Sequence, residues 1–188
     1  MPEIVLTATP ALAGTDLRFG ENRIRSRDDL ALVSVAVPLG AEDAVKDAFA
    51  RAWSIDLPGS RDSTGSDEMR ALRTTPDQMM VVFPHATPDA EPVVQAALGG
   101  AAYTTDQTDV WAVLELSGPG VRAALERLCP LDLSVAAFSE GAFARTVMEH
   151  MGALILRIGA DRFLLMSARS SAGSFLHAVK TSFAYTTD

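Results

Sequence analysis

The apolar positions of this chain alternate between strand-like and helix-like spacing in a regular order. Residues 30–40 (LALVSVAVPLG) form an apolar, β-branched run closed by Pro-x-Gly, which predicts a buried strand. Residues 41–53 place apolar side chains three and four positions apart, which predicts an amphipathic helix. Residues 69–84 then predict two strands folded at residues 75–77. Residues 86–100 predict a second helix, with Thr87 as N-cap and Gly99 as its end.

The second part of the chain repeats this order. Residues 109–120 alternate like a strand and break at Gly-Pro-Gly, and residues 121–133 have helical spacing. Residues 143–168 predict consecutive strands with a turn at residues 159–161, and residues 170–183 predict the closing helix. The order strand, helix, strand, strand, helix therefore occurs twice.

The repeat is also visible residue by residue. Residues 72–83 (LRTTPDQMMVVF) lie over residues 156–167 (LRIGADRFLLMS) at an offset of 84. Three pairs are identical at this offset: Leu72 and Leu156, Arg73 and Arg157, Asp77 and Asp161. We therefore predict an α+β fold of two related split β-α-β (ferredoxin-like) halves with antiparallel sheets. The predicted boundaries are 30–104 for the first half and 105–188 for the second.

Residues 1–29 precede the first half and show no clear pattern. Pro2, Pro10 and Gly14 interrupt the segment early, and charged residues crowd its end. We interpret it as an arm that is either frayed or held against a partner, and we expect the partner contact.

Composition limits the functional classes. The 188 residues are 48% hydrophobic, with a mean hydropathy of +0.15, which indicates a well-filled core or apolar surface covered by a partner. The net charge of −8 argues against binding to nucleic acid or to acidic membranes. No apolar run approaches the roughly 18–20 residues of a membrane span. The N-terminus does not resemble a secretory signal, and a single cysteine allows no intrachain disulfide, so we expect a cytoplasmic protein.

Candidate chemistry is sparse. The histidines (His85, His150, His177) form none of the common metal-binding motifs, and Cys129 has no CxxC partner, so we expect no metal site and no catalytic residue. Cys129 is expected to be an ordinary buried thiol. The sequence Gly118-Pro119-Gly120 lacks the glycines and the lysine of a phosphate-binding loop, so we interpret it as a structural turn.

Two polar segments stand out against apolar surroundings. The first is TDQTDVW at residues 105–111, and the second is an Arg-Thr pair inside the strand FARTVMEH. The resulting candidates for an interface or a structural polar network are Asp106, Gln107, Asp109, Trp111, Arg145 and Thr146. We expect the first segment to cap backbone amides where the halves join, and we consider an ion pair between Arg145 and one of its aspartates.

These segments carry a resemblance to a known family. The TDQTDVW entry, LSGP (116–119), LCPLDL (128–133), the F-x-x-G-x-x-ART run (138–146) and PDQ (76–78) resemble the gamma subunit of heterotetrameric sarcosine oxidase. The likeness extends from about residue 30 to residue 183. The resemblance implies a small relative of the folate-binding aminomethyltransferase-like fold.

The resemblance also implies partners and cofactors. It places this chain beside alpha, beta and delta subunits that oxidatively demethylate sarcosine to glycine and pass the one-carbon unit to tetrahydrofolate or release formaldehyde. FAD, FMN, NAD, tetrahydrofolate and zinc are implied for those partners, and no cofactor is implied for this chain. No catalytic residue is carried over to it.

Two alternatives stay open at this point. One is the equivalent small subunit of an N-methylglutamate dehydrogenase-type complex, whose substrate contacts also lie in other chains. The other is a stand-alone binding protein of the folate-binding fold. The iron–sulfur assembly relatives of this fold carry a K-G-C-Y-x-G-Q-E motif, which this sequence lacks.

Overall fold

A computed structural model describes residues 9–186. This part of the chain forms eleven strands and four α-helices. The strands are β1 (Asp16–Phe19), β2 (Asn22–Ser26), β3 (Leu30–Ala36), β4 (Ser63–Gly65), β5 (Arg70–Thr75), β6 (Gln78–Pro84), β7 (Tyr103–Asp106), β8 (Trp111–Ser117), β9 (Phe143–Met148), β10 (Met151–Gly159) and β11 (Arg162–Ala168). The helices are α1 (Glu42–Trp53), α2 (Ala90–Leu98), α3 (Val121–Glu126) and α4 (Ala172–Ala184). No helix within residues 9–186 is long and apolar enough to span a membrane.

The strands form two antiparallel sheets. Sheet I has the order β4-β5-β6-β3-β7, and sheet II has the order β1-β2-β8-β11-β10-β9. The α+β class with two antiparallel sheets, predicted from the sequence, is confirmed.

Three apolar clusters hold the layers together. One packs sheet I against α1 and α2, and a second packs sheet II against α3 and α4. The third lies between the sheets and includes Leu32, Leu72, Val113 and Leu156. Strands buried on both faces need apolar side chains at every position, which explains why β6 and β11 read as continuous apolar runs rather than as alternating ones.

The repeat predicted from the sequence corresponds to a structural repeat. β6 and β11 have the same length, and their bounds differ by the predicted offset of 84. The ladder between β5 and β6 shifts register between Arg73 and Thr75, and the ladder between β10 and β11 shifts between Arg157 and Gly159. These irregularities also lie 84 residues apart, so the two hairpins share their local distortion as well as their sequence.

The N-terminal segment differs from the expected arm. Residues 16–26 form the β1–β2 hairpin, and β2 pairs with β8 in the middle of sheet II. Ile24 is fully buried in the apolar cluster between sheet II and helices α3 and α4, which we call the outer core of sheet II. The strand pattern was missed because arginines occupy the alternating positions in Asn22–Ser26, so only one strongly apolar residue marks the buried face. Residues 1–8 of the predicted arm lie outside the described residues.

Other element bounds also differ from the predictions. The predicted boundary after residue 104 falls inside β7, which pairs with β3 of sheet I. Helix α2 begins at Ala90, so Thr87 is not its N-cap. The Thr87 hydroxyl instead bonds to the side chains of His85 and Asp89. Gly99 ends α2 in the left-handed conformation, as predicted. Helix α3 ends at Glu126 rather than at residue 133.

Candidate functional site at the crossing of the two halves

The two halves exchange strands where the chain passes from one sheet to the other. β2 leads from sheet II into β3 of sheet I, whereas β7 leads from sheet I into β8 of sheet II. The Arg27 amide donates to the Val113 carbonyl (3.0 Å), and the Gln107 amide donates to the Leu32 carbonyl (2.8 Å). Each connection is therefore held by a hydrogen bond to a strand of the sheet that it is leaving. The segment 105–111 singled out in the sequence is one of these two connections.

Side chains of this segment cap its backbone. Oδ1 of Asp106 accepts a hydrogen bond from the Thr108 amide at 2.8 Å. The Thr108 hydroxyl oxygen accepts from the Leu32 amide at 3.1 Å. Asp109 pairs with Arg169 at 3.2 Å, so the pairing of an aspartate here with Arg145 is wrong. Asp109 is close to Arg169 because β8 and β11 are neighbours in sheet II, whereas Arg145 lies on β9 at the sheet's edge.

Trp111 lies half-buried at the start of β8. Its indole Nε1 is buried and has no hydrogen-bond partner among the described residues. A cavity of about 60 Å³ lies beside the ring and is lined in part by Thr108, Asp28 and Arg169. A cavity of this size with polar walls accommodates a water molecule.

A charged cluster closes the gap between the sheets on the β2 side. Glu115, which is 8% exposed, accepts hydrogen bonds from Arg27 (2.8 Å), Arg25 (3.1 Å) and Arg162 (3.2 Å). Arg162 also reaches Asp67 of sheet I's β4–β5 loop at 3.4 Å. Burial alone would raise the pKa of Glu115, but the three guanidinium groups outweigh it and the pKa is lowered.

The Glu115 cluster was missed in the sequence. A signal was present, because Glu115 is the one charged residue in the otherwise apolar strand WAVLELS. Such a residue needs buried partners. One of those partners is Arg25 of β2, the strand whose arginines concealed its pattern.

The halves also meet at a second crossing, which is a short antiparallel ladder of backbone hydrogen bonds. The Ser63 amide donates to the Gly141 carbonyl (3.0 Å), and the Phe143 amide donates to the Arg61 carbonyl (3.1 Å). Asp62 and Ala142 form an antiparallel bridge between these two bonds. This short ladder joins β4 of sheet I to β9 of sheet II.

A cleft of about 920 Å³ opens beside this ladder. Its walls come from residues 58–62 and 73–76 of the first half and from residues 131–132, 137–139 and 142–145 of the second. Its volume lies in the range of small-molecule sites. The cleft is much larger than the cavity of about 60 Å³ beside Trp111.

The charged groups of the cleft differ in their pairing. Arg73 is held by Glu42 at 3.2 Å. Oδ1 of Asp132 accepts from the Ser134 amide. Arg61 and Arg145 are exposed, and their guanidinium groups make no hydrogen bond or ion pair with any residue in 9–186. Thr146 donates only a long hydrogen bond of 3.4 Å to the neighbouring Val147 carbonyl.

The single thiol, Cys129, is not exposed as a nucleophile. The Cys129 thiol is buried, donates to the Leu125 carbonyl, and has a pKa raised by burial. Residues 9–186 contain no group of three or more His, Cys, Asp or Glu side chains that could hold a metal ion.

The Gly-Pro-Gly sequence is a structural turn, as predicted. Oδ1 of Asn22 accepts from the Gly120 amide at 2.7 Å. A Cβ atom on Gly118 would lie 2.7 Å from the Glu21 carbonyl oxygen. The turn is therefore filled by the β1–β2 hairpin rather than open to a ligand.

Comparison with known proteins identifies the relatives of this arrangement. No protein-family model matches the sequence. A sarcosine oxidase subunit gamma from Arthrobacter sp. is 30% identical over 133 residues, which are 70% of this chain and 64% of that protein. The predicted resemblance to sarcosine oxidase gamma subunits is confirmed. The chain thus spans slightly less than two thirds of the gamma subunit that it matches.

Solved structures support the same fold. A chain of the heterotetrameric sarcosine oxidase from Corynebacterium sp. U-96, in complex with pyrrole 2-carboxylate, superposes with a TM-score of 0.79 at 21% identity. The match covers 90% of this chain and 88% of that one. The glycine cleavage system aminomethyltransferase T from Bartonella henselae gives a TM-score of 0.59 at 16% identity, and the match covers 83% of this chain but 44% of the aminomethyltransferase. This chain therefore shares the fold of part of the aminomethyltransferase.

Proposed function

We propose that this chain is a non-catalytic gamma subunit of a heterotetrameric sarcosine oxidase-type complex. The observation that carries the proposal is the 30% identity to a gamma subunit over 133 residues. The TM-score of 0.79 with a chain of a heterotetrameric sarcosine oxidase supports it. The complex would oxidatively demethylate sarcosine to glycine, with the one-carbon unit passed to tetrahydrofolate or released as formaldehyde.

The site geometry supports a non-catalytic role for this chain. The polar groups of segment 105–111 and the Glu115 cluster are used within the fold, and the thiol is buried. In this proposal the partners are alpha, beta and delta subunits, which would carry FAD, FMN, NAD, tetrahydrofolate and zinc. The complex would be cytoplasmic.

The sequence-predicted site residues divide into two groups in this proposal. Asp106, Gln107, Asp109 and Trp111 lie at the crossing of the halves and serve the fold. Arg145 and Thr146 lie on the edge strand β9 and face a partner. Residues 1–29 are proposed to contact a partner as well, through the outer side of β1. The proposed division into halves stays at residues 30–104 and 105–188.

Co-expression tests the proposal. The tagged chain is produced together with the alpha, beta and delta subunits of sarcosine oxidase from the organism that encodes this chain, and the complex is purified on the tag. We expect equal amounts of four subunits, flavin absorbance, and bleaching of the flavin by sarcosine. Bleaching by N-methylglutamate instead would identify the alternative complex. If the other three subunits assemble fully and leave this chain behind, the proposal is wrong.

A further inference from the structure

β9 is an edge strand with backbone groups that point away from its sheet. The Phe143 amide donates to the Arg61 carbonyl, on the side opposite to β10. Backbone groups of an antiparallel strand point alternately to one side and to the other. The N–H and C=O groups of Arg145 and Val147 therefore point outward as well.

These outward groups have no strand beside them in residues 9–186. The Val147 carbonyl meets only the Thr146 hydroxyl at 3.4 Å, and no described residue bonds to the outward groups of Arg145. The other sheet edges are shorter: β1 and β7 have four residues and β4 has three, against six in β9. Long unprotected edges are the places where another chain adds a strand.

The large cleft lies in front of this edge. The ladder that joins residues 61–63 to residues 141–143 stops where the chain turns away through Pro58 and Gly59. The cleft occupies the space between that departing segment and residues 142–145. An extended segment placed there would continue the ladder along β9 from Phe143 toward Met148.

The side chains along the edge indicate which side chains a docked segment would need. Arg145 and Val147 project from the same face of β9, because side chains alternate along a strand. Val147 is 49% exposed, and the Arg145 guanidinium has no partner in the described structure. Arg61 supplies a second unpaired guanidinium across the ladder from Phe143. The edge therefore presents unpaired backbone N–H and C=O groups, one exposed apolar side chain and two unpaired guanidinium groups.

We infer that β9 is the docking edge for an extended segment of a partner subunit that pairs with Arg145 and Val147 and places a carboxylate side chain on Arg145 and Arg61. The inference rests on the proposed function. A second copy of β9 (FARTVM) would bring another arginine and no carboxylate, so charge complementarity favours a different chain.

Hydrogen exchange on the assembled complex tests the inference. The exchange rates of the Arg145 and Val147 amides are measured residue by residue in the chain alone and in the co-purified complex. We expect both amides to exchange about 100-fold more slowly in the complex, because each gains a protected hydrogen bond. If the complex forms and both amides exchange as fast as in the chain alone, the docking edge is wrong while the proposed function stands. If no complex forms with the unaltered chain, the proposed function and the docking edge both fall.

Matched variants provide a second readout. Val147→Pro removes an outward N–H without breaking the ladder to β10. Val147→Thr is the matched control, because it keeps the outward N–H and a β-branched side chain of similar shape at the same position. With the melting temperature of the free chain as the folding check, we expect Val147→Pro to weaken assembly about tenfold and Val147→Thr to leave it nearly unchanged. Arg145→Glu is expected to weaken assembly similarly, and Arg145→Lys to do so less. Equal assembly of the Val147→Pro and Val147→Thr variants would overturn the inference.

Discussion

Arg73 and Arg157 occupy equivalent places in the two halves and make equivalent hydrogen bonds. Each donates to the carbonyl of its own hairpin turn, Arg73 to Pro76 (3.0 Å) and Arg157 to Ala160 (3.1 Å). Each also holds the loop that leads into the second crossing, Arg73 through the Pro58 carbonyl (3.0 Å) and Arg157 through the Phe138 carbonyl (2.8 Å). These loops border the cleft, so the repeated arginines fix its two walls.

Removal of Arg157 is expected to destabilise the fold more than removal of Arg73. Arg157 is 6% exposed and also donates to the Gly159 carbonyl, so Arg157→Ala leaves several buried acceptors unpaired. We expect a loss of about 3 kcal/mol in the free energy of unfolding for Arg157→Ala and about 1 kcal/mol for Arg73→Ala, whose carbonyl partners lie at the cleft and can be hydrated. Urea unfolding measures both losses. Arg51→Ala on the exposed face of α1 is the control, and an equal effect of Arg51→Ala and Arg157→Ala would contradict the assignment.

Glu115→Gln is expected to remove part of the chain's pH dependence. The pKa of Glu115 is lowered in the folded chain from its ordinary value of 4.5. A carboxylate of this kind stabilises the fold above its unfolded pKa, and the stabilisation is lost as the pH falls through the folded pKa. Near pH 7 we expect Glu115→Gln to lower the free energy of unfolding by about 2–3 kcal/mol, because three guanidinium groups lose the carboxylate that they share.

The test is urea unfolding of both proteins between pH 3 and pH 7. The difference between wild type and Glu115→Gln should be constant at neutral pH and shrink below pH 4.5, where the unfolded chain begins to bind the proton. Glu126→Gln, at the exposed end of α3, is the control substitution and should change the unfolding free energy near pH 7 by less than about 0.5 kcal/mol. A difference between wild type and Glu115→Gln that grows as the pH falls would show that Glu115 titrates in the opposite sense.

Gly118→Ala is expected to be strongly destabilising. Gly118 has a φ of +120°, a region that side chains with a Cβ rarely adopt. The added Cβ would also lie 2.7 Å from the Glu21 carbonyl oxygen and from the Asn22 Cα. We expect a loss of about 3–5 kcal/mol in unfolding free energy. Gly152→Ala is the control, because nothing lies within 4 Å of its added Cβ. Equal stability of the two variants would show that the turn can relax away from the hairpin.

Long apolar strands and the repeat were predictable from sequence, because a strand buried on both faces leaves an unbroken apolar run. β6 and β11 illustrate this, and their common offset of 84 was visible directly in the residues. Helix ends were less predictable. Thr87 has the chemistry of an N-cap, but its hydroxyl is taken by Asp89 and His85, and the helix starts three residues later.

Long-range pairing was not predictable, since it depends on which sheet a strand joins. Nothing local to Asn22–Ser26 indicates that this strand pairs with Trp111–Ser117, about 90 residues later. The same holds for the Glu115 cluster, whose members come from β2, the β2–β3 connection, β8 and β11. The cleft likewise requires residues 58–62 and 142–145 to meet.

The N-terminal hairpin is expected to be required for folding, not only for assembly. Ile24 is fully buried, and β2 occupies one side of the central strand β8. We expect Ile24→Ala to lower the unfolding free energy by about 2–4 kcal/mol, because it opens a cavity in the outer core of sheet II. Leu39→Ala is the matched control, since Leu39 is fully exposed and its loss should change stability by less than about 0.5 kcal/mol.

Deletion of residues 1–28 should then have a larger effect than either substitution. The deletion exposes the edge of β8 and the apolar face that Ile24 covers, so we expect an aggregated or poorly folded product rather than a folded chain that only fails to assemble. Circular dichroism and size-exclusion chromatography of the truncated chain measure this directly. If the truncated chain is monomeric and unfolds cooperatively like the full chain, the hairpin is an appendage, and a defect in assembly with alpha and beta subunits could then be assigned to a lost partner contact. If it is aggregated, partner contacts of this segment must be tested by substitution on the exposed side of β1, for example at Arg18, because only such variants leave the sheet intact.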